Sequence, residues 1–177
     1  MKNIIAVATA VFMAAGLWGC GGGSSEPAVQ KLGTGKATLA FSAMSTAKLD
    51  SSIGGIDIEV ALPAGMSIAT AGGGSGLVDS GSIVAGTAVQ GNNLAYGNYS
   101  ASTRKARIAF TTTSNSYRSG EFLRLVCSVD GNGNVTAADV RALNNPVVVL
   151  KAVGYDAATL STTVLTGKVK VTMDVLQ

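Results

Sequence analysis

The chain has 177 residues, of which 13% are charged and 5% aromatic, a formal net charge of +3 and no histidine. The missing histidine excludes Ser-His-Asp and Cys-His nucleophilic schemes and nearly all zinc sites. The weak positive excess excludes the concentrated basic face that a nucleic-acid partner requires. Gly, Ala, Ser, Thr and Val dominate, which is the composition of an extracellular β-protein rich in turns and not of a disordered chain.

Lys2 gives a short positive start, and Ile4 to Leu17 is then almost wholly apolar. That is the layout of a secretory signal, and it is shorter than the roughly 20 residues of a membrane span. Leu17-Trp18-Gly19-Cys20 follows, then Gly21-Gly22-Gly23-Ser24-Ser25. The small residue before Cys20 resembles a lipobox, the processing signal of bacterial lipoproteins. The resemblance implies that the Cys20 thiol receives a diacylglycerol, that residues 1–19 are removed and that the new terminus is acylated. Several acyl chains anchor stably where one does not. Gly21, in place of Asp, implies passage to the outer membrane in Gram-negative lipoproteins. The alternative is an ordinary secreted protein with an incidental cysteine. The expected organisation is a signal over 1–19, a flexible Gly/Ser-rich tether over 20–36 and one domain over 37–177. If Cys20 carries lipid, Cys127 has no partner in the chain for a disulfide.

The domain opens at Ala37–Met44, where Leu39 and Phe41 alternate with smaller or polar residues as in a half-buried strand. Ile56, Ile58, Val60 and Leu62 predict a strand whose other face carries Asp57 and Glu59. Pro63-Ala64-Gly65 breaks it. Met66 and Ile68 continue beyond the turn. Gly72–Gly76 is a glycine-rich loop with no following Lys or helix, so it is not a phosphate cradle. Short strands are expected near Leu77-Val78 and Ile83-Val84, and a polar loop over Gln90–Ser100. Further strands are predicted over Ala106–Thr113 and over Phe122–Val129, where Leu123, Leu125, Cys127 and Val129 face in. The run Val147–Val153 is apolar but for Lys151, as in a central strand. A final strand over Val164–Leu176 has Val169, Val171, Met173 and Val175 alternating with Lys168, Lys170, Thr172 and Asp174.

Eight or nine short strands with turns between them predict an all-β, antiparallel sandwich of jelly-roll type with one short helical turn near 137–143. The segments Gly55–Gly65, Ala106–Phe110, Ser119–Leu125 and Thr136–Asp139 together are similar to a cohesin-type β-sandwich, a relative of carbohydrate-binding modules. That resemblance implies a cell-surface binding module whose partner is a dockerin-like protein or a polysaccharide, bound on a sheet face.

Two constellations are candidate sites. Ser128, Asp130, Asn132, Asn134 and Asp139 lie at the spacing of a calcium loop, with Gly133 at the sharp turn. The same residues also read as a polar turn leading into a helix, with Thr136 as N-cap and Asp139 completing a capping box. Tyr96, Tyr99 and Tyr117, with Asn98, are candidates for a sugar patch in which rings stack on sugar faces and amides bind hydroxyls, or else ordinary loop tyrosines. Arg104, Lys105 and Arg107 read as a solvated strand edge. Asp57 and Glu59 are the carboxylates an acid–base reaction would draw on, but no cleft signal accompanies them. The expectation is a lipid-anchored, non-enzymatic binding module on the outer membrane, without a cofactor unless calcium binds. A structural or assembly lipoprotein of an envelope complex is the alternative.

Overall fold

Period-2 alternation builds this protein. The computed structural model describes residues 31–72, 75–132, 134–156 and 158–177. Strand β1 (Gly35–Ser45) buries Ala37, Leu39, Phe41 and Ala43. Strand β2 (Ser52–Ala61) buries Ile56, Ile58 and Val60 and turns Asp57 and Glu59 outward. Two short strands follow, β3 (Met66–Ser67) and β4 (Ile83–Ala85). Then come β5 (Asn93–Ser100), β6 (Lys105–Thr112) and β7 (Gly120–Val129). Helix α1 (Ala137–Leu143) precedes β8 (Val148–Asp156), β9 (Ser161–Val164) and β10 (Val169–Leu176).

All ladders between strands are antiparallel, and the ten strands form two sheets. The first runs β10-β1-β7, and β3 and β4 share the far side of β7. The second runs β5-β6-β2-β8-β9. This is the expected all-β sandwich. Its core is the layer between the sheets, centred on Phe41, Phe110, Phe122, Ile58, Leu123 and Leu125, all nearly solvent-free. Phe110 and Phe122 join the sheets, with ring centroids 5.3 Å apart and planes tilted by 57°, an edge-on arrangement that aromatic quadrupoles favour.

Several expectations need correction. Gln90–Ser100 is not the expected polar loop: most of it is β5, an outer strand of the second sheet. Its apolar content is low because one face is solvated and Gly97 must be small. A Cβ there would lie 2.4 Å from Ile108 Cδ1 and 2.5 Å from the Arg107 carbonyl. The last predicted strand is two strands, because the chain turns at Thr166–Lys168. The domain also starts before residue 37: Leu32 is buried, its N–H donates to the Val135 carbonyl, and β1 begins at Gly35. Val147–Val153 falls largely in β8, which is paired on both sides, by β2 and β9. Val148 and Leu150 nevertheless remain exposed. The signal segment, Cys20 and the tether up to residue 30 lie outside the described residues. Among the described residues no helix is long and apolar enough to cross a membrane.

Candidate functional site

The outer face of the second sheet collects the exposed side chains with most to offer a ligand. Register decides which they are. Leu94, Tyr96 and Asn98 of β5 stand opposite Thr111, Ala109 and Arg107 of β6. Asp57 of β2 lies opposite Ala109 on one side and Lys151 of β8 on the other. Gly55 lies between Thr111 and Val153. The small residues Gly55 and Ala109 lower the middle of the face. The result is a trough of about 310 Å³ bounded by Tyr96, Arg107, Lys151 and Val153. Tyr96 is 53% exposed.

Charge is paired across the sheet at one end of this trough. Arg107 Nε donates to both carboxylate oxygens of Asp57, at 3.1 and 3.0 Å, and its Nη2 also bonds Asp57. Lys105 Nζ donates to Glu59 Oε1 at 2.7 Å. Arg104, Lys105 and Arg107 therefore do not form one cationic edge, since two of the three are neutralised by acids of β2. Both carboxylates that an acid–base reaction would draw on are held in ion pairs. The hydrogen bond and charge of Asp57 raise the Arg107 guanidinium further above neutrality.

The three tyrosines are not brought together. Tyr96 and Tyr99 are an odd number of residues apart on one strand, so they point to opposite faces. Tyr99 is buried at 7% and Tyr117 at 3% exposure. Tyr117 Oη donates to the Gly120 carbonyl at 2.8 Å. Burial pushes both phenols up, so each remains neutral in the core. Only Tyr96 and Asn98 of the proposed patch face the solvent, on adjacent positions of the same outer row. Tyr155, which sequence reasoning did not single out, is 36% exposed on the same sheet. It belongs with Val148, Val153 and Val164 to an apolar area across β8 and β9. The signal for it is the apolar run Val147–Leu150 with Val153 and Tyr155 beyond Lys151, which leaves apolar side chains on the outer face.

The calcium-loop spacing is folded differently. Ser128 lies inside β7 and is paired on both sides, with Lys36 and Ser67. The Asp130 N–H donates to the Gly65 carbonyl. Asn134 Oδ1 accepts from Lys31 Nζ at 3.1 Å. Asp139 Oδ2 accepts from the Thr136 N–H at 3.0 Å and from its hydroxyl at 2.7 Å, while Thr136 Oγ1 accepts from the Asp139 N–H at 3.1 Å. This is a capping box, and it satisfies amides that the first helical turn leaves free. Those hydrogen bonds hold the Asp139 carboxyl below the usual carboxylate range. Asn132 is exposed, and Gly133 lies outside the described residues. Ser128 is thus held in a strand ladder and Asp139 in the capping box, and among the described residues no three His, Cys, Asp or Glu side chains cluster to hold a metal.

Cys127 lies in the core at 1% exposure, and burial pushes its thiol up to about 12. That leaves it a small apolar filler with no thiolate character at neutral pH. No family model, curated protein or solved structure matches the chain.

Proposed function

We propose that this chain is a lipid-anchored, non-catalytic binding module held outside the cytoplasm, which takes an extended polysaccharide along the outer face of its second sheet. One observation carries the reading: an exposed Tyr96 ring beside a shallow trough at whose end the Arg107–Asp57 pair is already fixed in place, with Asn98 exposed on the same outer row. An aromatic ring offers an apolar face to a sugar ring, and preset polar groups bind hydroxyls with little ordering cost. The ion pair cancels the charges of Arg107 and Asp57 and leaves Lys151 as the remaining charge of the lining, a weak field that an uncharged chain of sugars tolerates. The cohesin-like resemblance and the lipobox at Leu17–Cys20 support the same placement at an envelope surface.

A second reading rests on the apolar area of Val148, Val153, Tyr155 and Val164. Exposed apolar patches mark protein contacts, and this one adjoins the trough, as a dockerin-like or envelope partner would need. A panel of soluble polysaccharides separates the two readings. Retention that Tyr96→Ala abolishes supports the glycan. Retention only of a stoichiometric envelope protein, lost in Val164→Asp and unaffected by Tyr96→Ala, supports the protein partner. Mass spectrometry of the mature N-terminus tests the anchor: an unmodified terminus elsewhere than Cys20 removes it.

A further inference from the structure

The two sheets present their margins very differently. The outer side of β5 is covered by the preceding loop, since the Val78 N–H donates to the Gly97 carbonyl and the Tyr99 N–H to the Gly76 carbonyl. β9 is four residues long. The margin beyond β7 is divided between β3 and β4. β10 is eight residues long and undivided, and Arg141 and Asn144–Val147 stand beside its Lys170–Met173 stretch across a cleft of about 220 Å³. The strand pairs with β1 from Val169 to Leu176 without a register shift, and among the described residues no strand pairs with its other side. It contains no proline and no glycine. A long, straight, open edge is a template for a further strand.

We propose that this edge is an interface between two copies of the chain, joined β10 to β10 in antiparallel fashion. The strand's own charge pattern selects the partner and the register. A two-fold axis perpendicular to the sheet keeps core-facing residues on the core side, so facing residues share parity and the axis must pass beside a single residue. Centred on Thr172, the pairing sets Lys170 opposite Asp174 of the second copy, and the symmetry makes that match twice. Centring on Lys170 or Asp174 sets like charges face to face, and centring on Met173 matches no opposite charges; centring on Val171 sets Lys168 opposite Asp174 but pairs only Val169 to Met173 of the strand, where centring on Thr172 pairs Val169 to Val175. Both side chains are exposed, and among the described residues neither is in an ion pair of its own chain. On the core side the same register sets Val171 opposite Met173 of the second copy. Both are buried in their own copy, so the joined row continues each core and the new contact is made by backbone and by the solvent-facing side chains.

The test uses the full chain with a cysteine on the proposed axis. Two cysteines facing each other across an antiparallel pair fall within disulfide reach, so Thr172→Cys gives a covalent dimer on non-reducing gels. Lys168→Cys faces Leu176 of the second copy, not itself, and stays at the wild-type level, which also scores any linkage through Cys20. In sedimentation, Lys170→Asp lowers the dimer fraction several-fold and Lys170→Asp with Asp174→Lys restores it, which a purely local role of Lys170 would not do. Cross-linking of Thr172→Cys no greater than that of Lys168→Cys overturns the proposal. So does a wild-type chain that sediments as a monomer at tens of micromolar, or a double charge exchange that fails to recover the dimer.

Discussion

Arg107 and Asp57 are diagonal neighbours, not directly opposite residues. Arg107 stands opposite Glu59 in the β2–β6 register, yet its guanidinium reaches to Asp57 and leaves Glu59 to Lys105. Both bases thus lean the same way along the sheet, and the acids beneath them are fixed at the edge of the trough. The guanidinium is 66% exposed, so the pair is a surface ion pair of small stabilising value, within about 1 kcal/mol. Asp57→Asn is therefore expected to leave the Tm nearly unchanged while weakening ligand retention. A large fall in Tm would show that the pair is structural.

Tyr96→Ala is expected to be neutral for stability, because the ring is half in solvent and supports no core contact. It should lower retention on the cognate polysaccharide about two- to twelvefold, since one stacking ring contributes about 0.5–1.5 kcal/mol beyond its buried area. Isothermal titration against the retained polysaccharide reads the effect directly. Tyr99→Ala behaves in the opposite sense: it opens the core and lowers the Tm.

Gly97→Ala is expected to destabilise the domain by about 1–3 kcal/mol. The added methyl meets the carbonyl of Arg107 as well as the flexible tip of Ile108, and backbone cannot retreat as a side chain can. Denaturant melts of the variant should show a lower midpoint with an unchanged slope.

Asn144 takes the place of a strand partner for Ala61. Its Oδ1 accepts from the Ala61 N–H at 2.8 Å, and its Nδ2 donates to the carbonyls of Ala61 and Val140, each at 2.8 Å. Asn144→Ala leaves buried backbone groups of β2 and α1 unsatisfied, and a cost of about 2–4 kcal/mol follows. A variant as stable as the wild type would mean that water replaces the amide.

The capping box at Thr136 predicts both a mutational and an acid effect. Thr136→Ala should cost about 1 kcal/mol. The Asp139 carboxyl is depressed in the folded state, so its contribution is complete above the unfolded carboxylate value. It is lost as pH falls through the lower folded value. Asp139→Asn should remove that acid-dependent component. Calcium and chelator should leave the Tm unchanged, and a chelator-sensitive midpoint would reassign Asp139 to a metal.

The sandwich was legible because one face of each strand is buried and the other wet, which writes the period of the strand directly into Leu39–Phe41, Ile56–Val60 and Val169–Val175. The same logic failed where the backbone departs from strict alternation. Phe122 should face solvent by parity with Leu123 and Leu125, yet it is fully buried, because the β1–β7 register shifts at Phe41/Ser42. Alternation cannot signal a bulge, since the extra residue appears only when two strands are paired.

The candidate site divides along the same line. The amino-acid sequence by itself determined the class of fold, the outward direction of Asp57 and Glu59, and the two local readings open at Thr136–Asp139, because these depend on neighbours a few residues apart. Only the tertiary structure decided that Tyr96 stands on a trough while Tyr99 and Tyr117 fill the core. It alone decided that Arg107 neutralises Asp57, and that β10 ends a sheet with its charges unanswered. Those facts depend on which distant strand lies alongside, and a hydrophobic pattern states that a face is buried without stating against what.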